Sequence, residues 1–215
     1  TEGTELFNKG NLFYSRRIGI EPNYTPEIKA PNGDTVLNYT SQAKILNASK
    51  LSGRTQKGLG IGVLNALTQQ EYATLQHNAD GSTYKLENVP LTNYNVLVLD
   101  QTLKHNSSIS FVNTNTWRSG GGYDANVSSA LFNLNDKTNT WNVGGNINVS
   151  SLFGKEGKDI TGYAHGFYFG KVSGNFNFNV WHELSNDKYD KSDLGYFTNN
   201  NTIDQGIWMA YNRNK

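Results

Sequence analysis

Between Gly122 and Glu183 one pattern recurs three times: apolar side chains at every second position, with small or amide residues between them. In Asn139–Ser150 the odd positions are Trp141, Val143, Gly145, Ile147 and Val149, and the even ones Asn142, Gly144, Asn146, Asn148 and Ser150. Gly122–Phe132 sets Tyr123, Ala125, Val127 and Leu131 against Asp124, Asn126 and Ser128, and Asn175–Glu183 sets Phe176, Phe178 and Val180 against Asn175, Asn177 and Asn179. Period 2 is the mark of a strand with two unlike faces. Each run is about ten residues or longer, where globular strands average roughly 5–6. A tilted strand crossing a bilayer needs roughly 9–11.

Extended along the chain, the pattern predicts strands over 42–52, 58–67, 92–103, 107–115, 122–132, 139–150, 159–170, 175–184 and 204–213. Residues 1–41 lack alternation, hold Pro22, Pro26, Pro31 and Asn32-Gly33, and read as a loop-rich lead-in to a strand region over 42–215. Connections at 53–57, 104–106, 133–138 and 171–174 are short; those at 68–91, 116–121, 151–158 and 185–203 are longer. Alternating short turns and longer loops are what an antiparallel up-and-down transmembrane β-barrel produces, with 68–91 and 185–203 expected to be external and the four short turns periplasmic. The expected fold is therefore all-β, a partial barrel of about nine strands. That odd count, with Arg213-Asn214-Lys215 in place of a closing apolar strand, predicts a sheet that does not close on itself and a chain that is a segment of something longer.

Lipid offers amides no hydrogen-bond partner, which assigns the faces. Val143, Ile147, Val149, Phe176, Phe178 and Val180 are expected to face lipid. Asn142, Asn146, Asn148, Asn175, Asn177 and Asn179 are expected to face the lumen. Trp117, Trp141, Tyr163, Trp181 and Trp208, with Tyr196 and Tyr211, are candidates for the aromatic girdles at the membrane interfaces.

Composition narrows the classes. The 215 residues are 36% apolar and 17% charged, with no cysteine. No run of about eighteen apolar residues is present, so a membrane helix is excluded. Nineteen basic and eighteen acidic residues leave a net charge of +1, which gives no argument for nucleic acid.

At Thr1-Glu2-Gly3-Thr4-Glu5-Leu6-Phe7, Asn11–Gly19, Ile45–Thr55 and Gly60–Leu64 the chain resembles the DUF5916-type β-barrel domain of Bacteroidetes outer-membrane proteins, which carry an N-terminal family-9-like carbohydrate-binding domain. Leu91–Tyr94, Asp193–Tyr196 and Asn199-Asn200 fit as well. The resemblance implies an incomplete barrel, a location in the bacterial outer membrane and a link to carbohydrate handling. It supplies no catalytic residues.

Candidate chemistry is thin. Gly58-Leu59-Gly60-Ile61-Gly62 lacks the third glycine of a dinucleotide loop, since position 63 is Val63; alternate glycines facing a crowded interior explain it better. Ser15-Arg16-Arg17 has no apolar segment after it, so it is no twin-arginine signal, and an internal ion pair with Glu2, Glu5 or Glu21 is favoured over an anion clamp. Asp187, Asp190 and Asp193 are a weak Ca²⁺ candidate, with Lys188 and Lys191 interleaved. His77, His105, His165 and His182 are scattered without metal spacing, and no nucleophile elbow is present. Nothing points to an enzyme or a cofactor.

Two functions remain. One is an outer-membrane barrel segment acting as pore, scaffold or subunit of an envelope assembly, with lipid and other envelope proteins or glycan as partners. The other is a soluble β-sandwich module that binds carbohydrate.

Overall fold

The alternating runs fold into antiparallel strands of a length that matches them. The computed structural model describes residues 2–20, 30–40, 42–120 and 122–213. A short helix, α1 (Glu2–Phe7), leads through 3₁₀ turns to β1 (Thr35–Asn38). Then come β2 (Ile45–Arg54), β3 (Leu59–Thr68), β4 (Glu71–Gln76), β5 (Thr83–Val89), β6 (Thr92–Thr102) and β7 (Ser108–Arg118). The chain continues through β8 (Asp124–Asn135), β9 (Trp141–Lys155), β10 (Lys158–Lys171), β11 (Phe176–Ser185) and β12 (Thr202–Tyr211).

Nine of these form one sheet in the order β12-β11-β10-β9-β8-β7-β6-β3-β2, an antiparallel meander in which each strand lies beside its neighbour in sequence except where β4 and β5 intervene. As the odd count predicts, β2 and β12 do not pair with each other, and both are edges. Two parts of the expected layout change. Residues 68–91 are not a plain loop: β4 and β5 form a hairpin that takes β1 as its third strand. The rhythm of connection lengths also fails, because 103–107 and 119–123 are equally long and 156–157 is a two-residue turn. Strands β9 and β10 simply run further than their apolar alternation, through Ser151–Lys155 and from Lys158.

The sheet has a covered face and an open one. On the covered, concave face Tyr94, Val96, Val98, Val112 and Val127 pack against Leu6, Phe7 and Leu12 from the first residues and Tyr189 and Leu194 from the 186–201 connection. Phe7 fits because it lies over Gly62, where an added Cβ would come within 3.1 Å of its ring. Gly162 is tighter still, with the Lys188–Tyr189 backbone 2.2 Å from the place of a Cβ. The 186–201 connection therefore folds back along the sheet rather than outward. Alternate glycines on β3 do face a crowded interior.

The β8–β9 turn is set by one carboxylate. Asp136 accepts the Thr138 hydroxyl and the backbone N–H groups of Thr140 at 2.6 Å and Trp141 at 2.9 Å. These bonds, led by that of Thr138, hold its pKa down to about 2 from 3.8. A carboxylate depressed on folding stabilises the folded form above its unfolded pKa and loses that effect as pH falls through the folded one. Amide exchange at Thr138–Trp141 is expected to stay constant above about pH 4 after correction for intrinsic rates, and to accelerate between about pH 4 and 2. In Asp136→Asn this pH step should be absent.

Candidate functional site

Charged groups join the covering segments to the concave face. Asp100 continues the inward row of Val96 and Val98 on β6 and is almost fully buried. It meets Arg54 Nη2 at 2.6 Å and Lys9 Nζ at 2.9 Å, and accepts the Ser110 hydroxyl at 2.7 Å. Lys9 lies just after α1, so this cluster fastens the N-terminal segment to the sheet. Arg118, at the end of β7, does the same for the 186–201 connection. Its guanidinium meets Asp193 at 2.5 Å with both side chains nearly inaccessible, and lies over the Tyr123 ring. Burial pushes the Asp193 carboxyl up, with Arg118 opposing. The Asp190 backbone N–H donates to Ser150 Oγ at 3.0 Å, and that of Tyr14 to the Leu194 carbonyl at 2.6 Å. The two covering segments thus bond to the sheet and to each other.

Beside them, over β9–β12, a cleft of about 320 Å³ remains open. Asn146, Asn148, Glu183, Lys191, Phe197 and Asp204 are among its lining residues. Asn148 donates to Asn146 at 2.6 Å, which aligns the two amides along the wall. Burial pushes the Lys191 ammonium down, and Glu183 opposes that shift. An amide-rich wall with charges of both signs and the rings of Tyr189 and Phe197 suits a small polar solute.

The opposite face is apolar and open. Ile61 and Val63 on β3, Leu97 and Leu99 on β6, Ile109 and Phe111 on β7, Phe167 and Phe169 on β10, and Ile203, Ile207 and Met209 on β12 are all exposed there. The paired positions make this a continuous band; one row runs Ile61, Leu99, Phe111, Ala130, Ile147, His165, Leu184, Ile203. At one border lies a polar row of Asn65, Asn95, Asn115 and Asn126. Asn65 donates to both Asn93 and Asn95, and Asn113 to Asn126 and Ser128, so many of these outward amides bond one another.

Val143, Ile147, Val149 and Phe176 are exposed on the apolar face, and Phe178 and Val180 share it half-buried. Asn142, Asn146 and Asn148 face the concave side, as do Asn177 and Asn179. Asn175 lies outside β11, exposed in the turn. On β8 the polarity is inverted: Ala125, Val127 and Leu131 face inward, while Asp124, Asn126 and Ser128 face outward. Of the girdle candidates, Trp117, Trp141, Tyr163 and Tyr211 lie on the apolar face, Trp141 stacked on Phe169 at 5.6 Å. Trp181 and Trp208 do not. Both sit on the concave side, Trp181 over Gly206 with its indole N–H on Asp204 at 2.7 Å. Tyr196 is in the 186–201 connection, edge-on to Tyr14.

The three aspartates do not converge on a cation site. Asp193 is taken by Arg118, Asp190 by Ser192 and Lys155, and Asp187 is exposed. Among the described residues no three His, Asp or Glu gather where an ion could sit. No ion pair joins Arg16 or Arg17 to Glu5; the side chain of Glu2, and Glu21, lie outside the described residues. Sequence reasoning missed Lys9, Asp100, Arg118 and Lys191. For Asp100 a signal existed, a lone charge continuing an inward apolar row.

Removing one partner of a buried pair leaves an uncompensated charge. Arg118→Ala is expected to cost about 3–5 kcal/mol in chemical unfolding, and Arg118→Ala combined with Asp193→Ala distinctly less than the sum of the single changes.

No curated protein matches the chain, and no solved structure matches it. A family model described as a domain of unknown function, DUF5916, matches residues 1–215. With that match running over its whole length, the chain belongs to the DUF5916 family.

Proposed function

We propose that the chain is a wall segment of a transmembrane β-barrel of the bacterial outer membrane, with its own plug in the lumen. In this role it serves as a pore, scaffold or subunit of an envelope assembly. The observation that carries the proposal is the continuous apolar band on the open face of the nine-stranded sheet, where Ile147 is 55% and Ile207 57% exposed. The band crosses the whole sheet, whereas a monomer in water rarely exposes more than roughly 300–600 Å² of contiguous apolar surface. Strand lengths of 10–15 residues meet the span a tilted strand needs. No helix among the described residues is long and apolar enough to cross a membrane. The soluble carbohydrate-binding sandwich is less well supported, because it leaves this band in water.

The concave cleft is where polar solutes, glycan among them, meet the protein.

Adjacent residues test the proposal. Ile147→Arg puts a guanidinium on the apolar face and should cost about 2–4 kcal/mol in lipid, with loss of assembly into vesicles. Asn146→Arg enters the cleft near Glu183 and Asp204 and should assemble normally. Flotation of the refolded chain with phosphatidylcholine vesicles measures both. Equal flotation of the two variants, or a wild-type chain that stays in the aqueous fraction, would overturn the proposal.

A further inference from the structure

A polar cluster of different make-up from the asparagine row lies within the apolar face. His165 on β10 and His182 on β11 point their Nε2 atoms at each other, 3.3 Å apart. They are diagonal neighbours across the strand pair, His165 facing Leu184 and His182 facing Phe167. Gln205 on β12, directly opposite His182, reaches His182 Nδ1 with its amide at 2.8 Å. Three strands thus hold two imidazoles and the amide that orients one of them. Two histidines 17 residues apart have no recognisable metal spacing, and only the register brings them together.

We propose that His165 and His182 are a bidentate site for a divalent transition metal, of the imidazole-preferring class of Zn²⁺, Cu²⁺ and Ni²⁺. Zn–N bonds of about 2.0–2.1 Å at a tetrahedral angle put two nitrogens roughly 3.3–3.4 Å apart, which is the separation present before any ion is bound. The amide of Gln205, turned so that its oxygen meets Nδ1, accepts the Nδ1–H and fixes the tautomer that leaves Nε2 as the ligand. A hydrogen-bonded imidazole supported in this way is what metal sites use to orient a ligand. The remaining coordination positions are left for donors supplied from outside the chain, such as a partner's side chain. Ionisable residues set in an apolar membrane-type face are otherwise costly, which favours a functional role for the pair. The geometry stands whether or not the face meets lipid.

Cu²⁺ titrated into the purified chain in detergent micelles, followed by electron paramagnetic resonance, tests the site. The wild type is expected to show a one-equivalent species with two equatorial imidazole nitrogens. His165→Leu and His182→Leu should each reduce it to one nitrogen and weaken binding by more than the roughly 10–100-fold that losing an outer partner costs. Gln205→Ala should weaken it about 10-fold while keeping both nitrogens. Leucine suits the apolar face, so circular dichroism is expected to be unchanged in the single variants, and Zn²⁺ calorimetry gives a second readout. A two-nitrogen species that persists in the double leucine variant, where only His77 and His105 remain, would overturn the proposal. So would a wild type that binds no more metal than that variant.

Discussion

A sheet of two-faced strands has to cover one of its faces, and here everything depends on how the concave one is covered. The row of Tyr94, Val96, Val98 and Val112 is fully buried only because residues from both ends of the chain lie across it. Apolar burial draws those segments in, at roughly 25 cal/mol per Å² removed from water. It does not fix where they stop. That is done by two buried carboxylates, Asp100 for the first segment and Asp193 for the second. A buried pair contributes little net stability compared with an apolar replacement, but a misplaced covering segment would strand a charge. The pairs therefore select one position among many of similar apolar contact.

That arrangement explains why the alternation showed the strands more faithfully than their sidedness. Period 2 states that two faces differ. On β9 the apolar set of Val143, Ile147 and Val149 faces outward, over the part of the sheet where the concave side is a polar cleft. On β8 the set Ala125 and Val127 faces inward, where the covering segments supply apolar partners. The outward amides of Asn113 and Asn126 then satisfy one another, so the rule that amides avoid the open face holds group by group, not strand by strand. Trp181 shows the same limit. Its place on the concave side depends on Gly206, a residue across the strand pair whose missing side chain leaves the indole room.

Nine long strands, the meander and the open edges were legible because they follow from local alternation and strand count. The β4–β5 hairpin was not, since Glu71–Gln76 and Thr83–Val89 are short, and Glu71–Gln76 takes its outer partner from Thr35–Asn38 far earlier in the chain. The folding-back of 186–201 was hidden for a similar reason. Arg118 and Asp193 are 75 residues apart, and no spacing rule connects them. The amide-lined strand faces were visible early, but the cleft they help to form needs Lys191 and Phe197 from that same connection.

The edges bear on what the apolar face means. Every residue of β2 is exposed, and β12 is nearly so. In water an edge of ten residues is a template for unwanted pairing, usually blunted by charge, proline or a bulge. β2 carries two of these, the inward charges of Lys50 and Arg54 and a register shift between Ile45 and Asn47, while its outward Leu51 is 75% exposed. In lipid the same edge has no water for its backbone groups, and each unsatisfied group costs several kcal/mol. In the proposed membrane setting the edges therefore call for a pairing partner beside β2 and beside β12. The added strands would have to continue the two-faced alternation, apolar outward and compatible inward with Lys50 on one side and Trp208 on the other. In that setting the open apolar face and the open edges are one requirement, met by partners that pair along each edge while the covering segments keep the inner face filled.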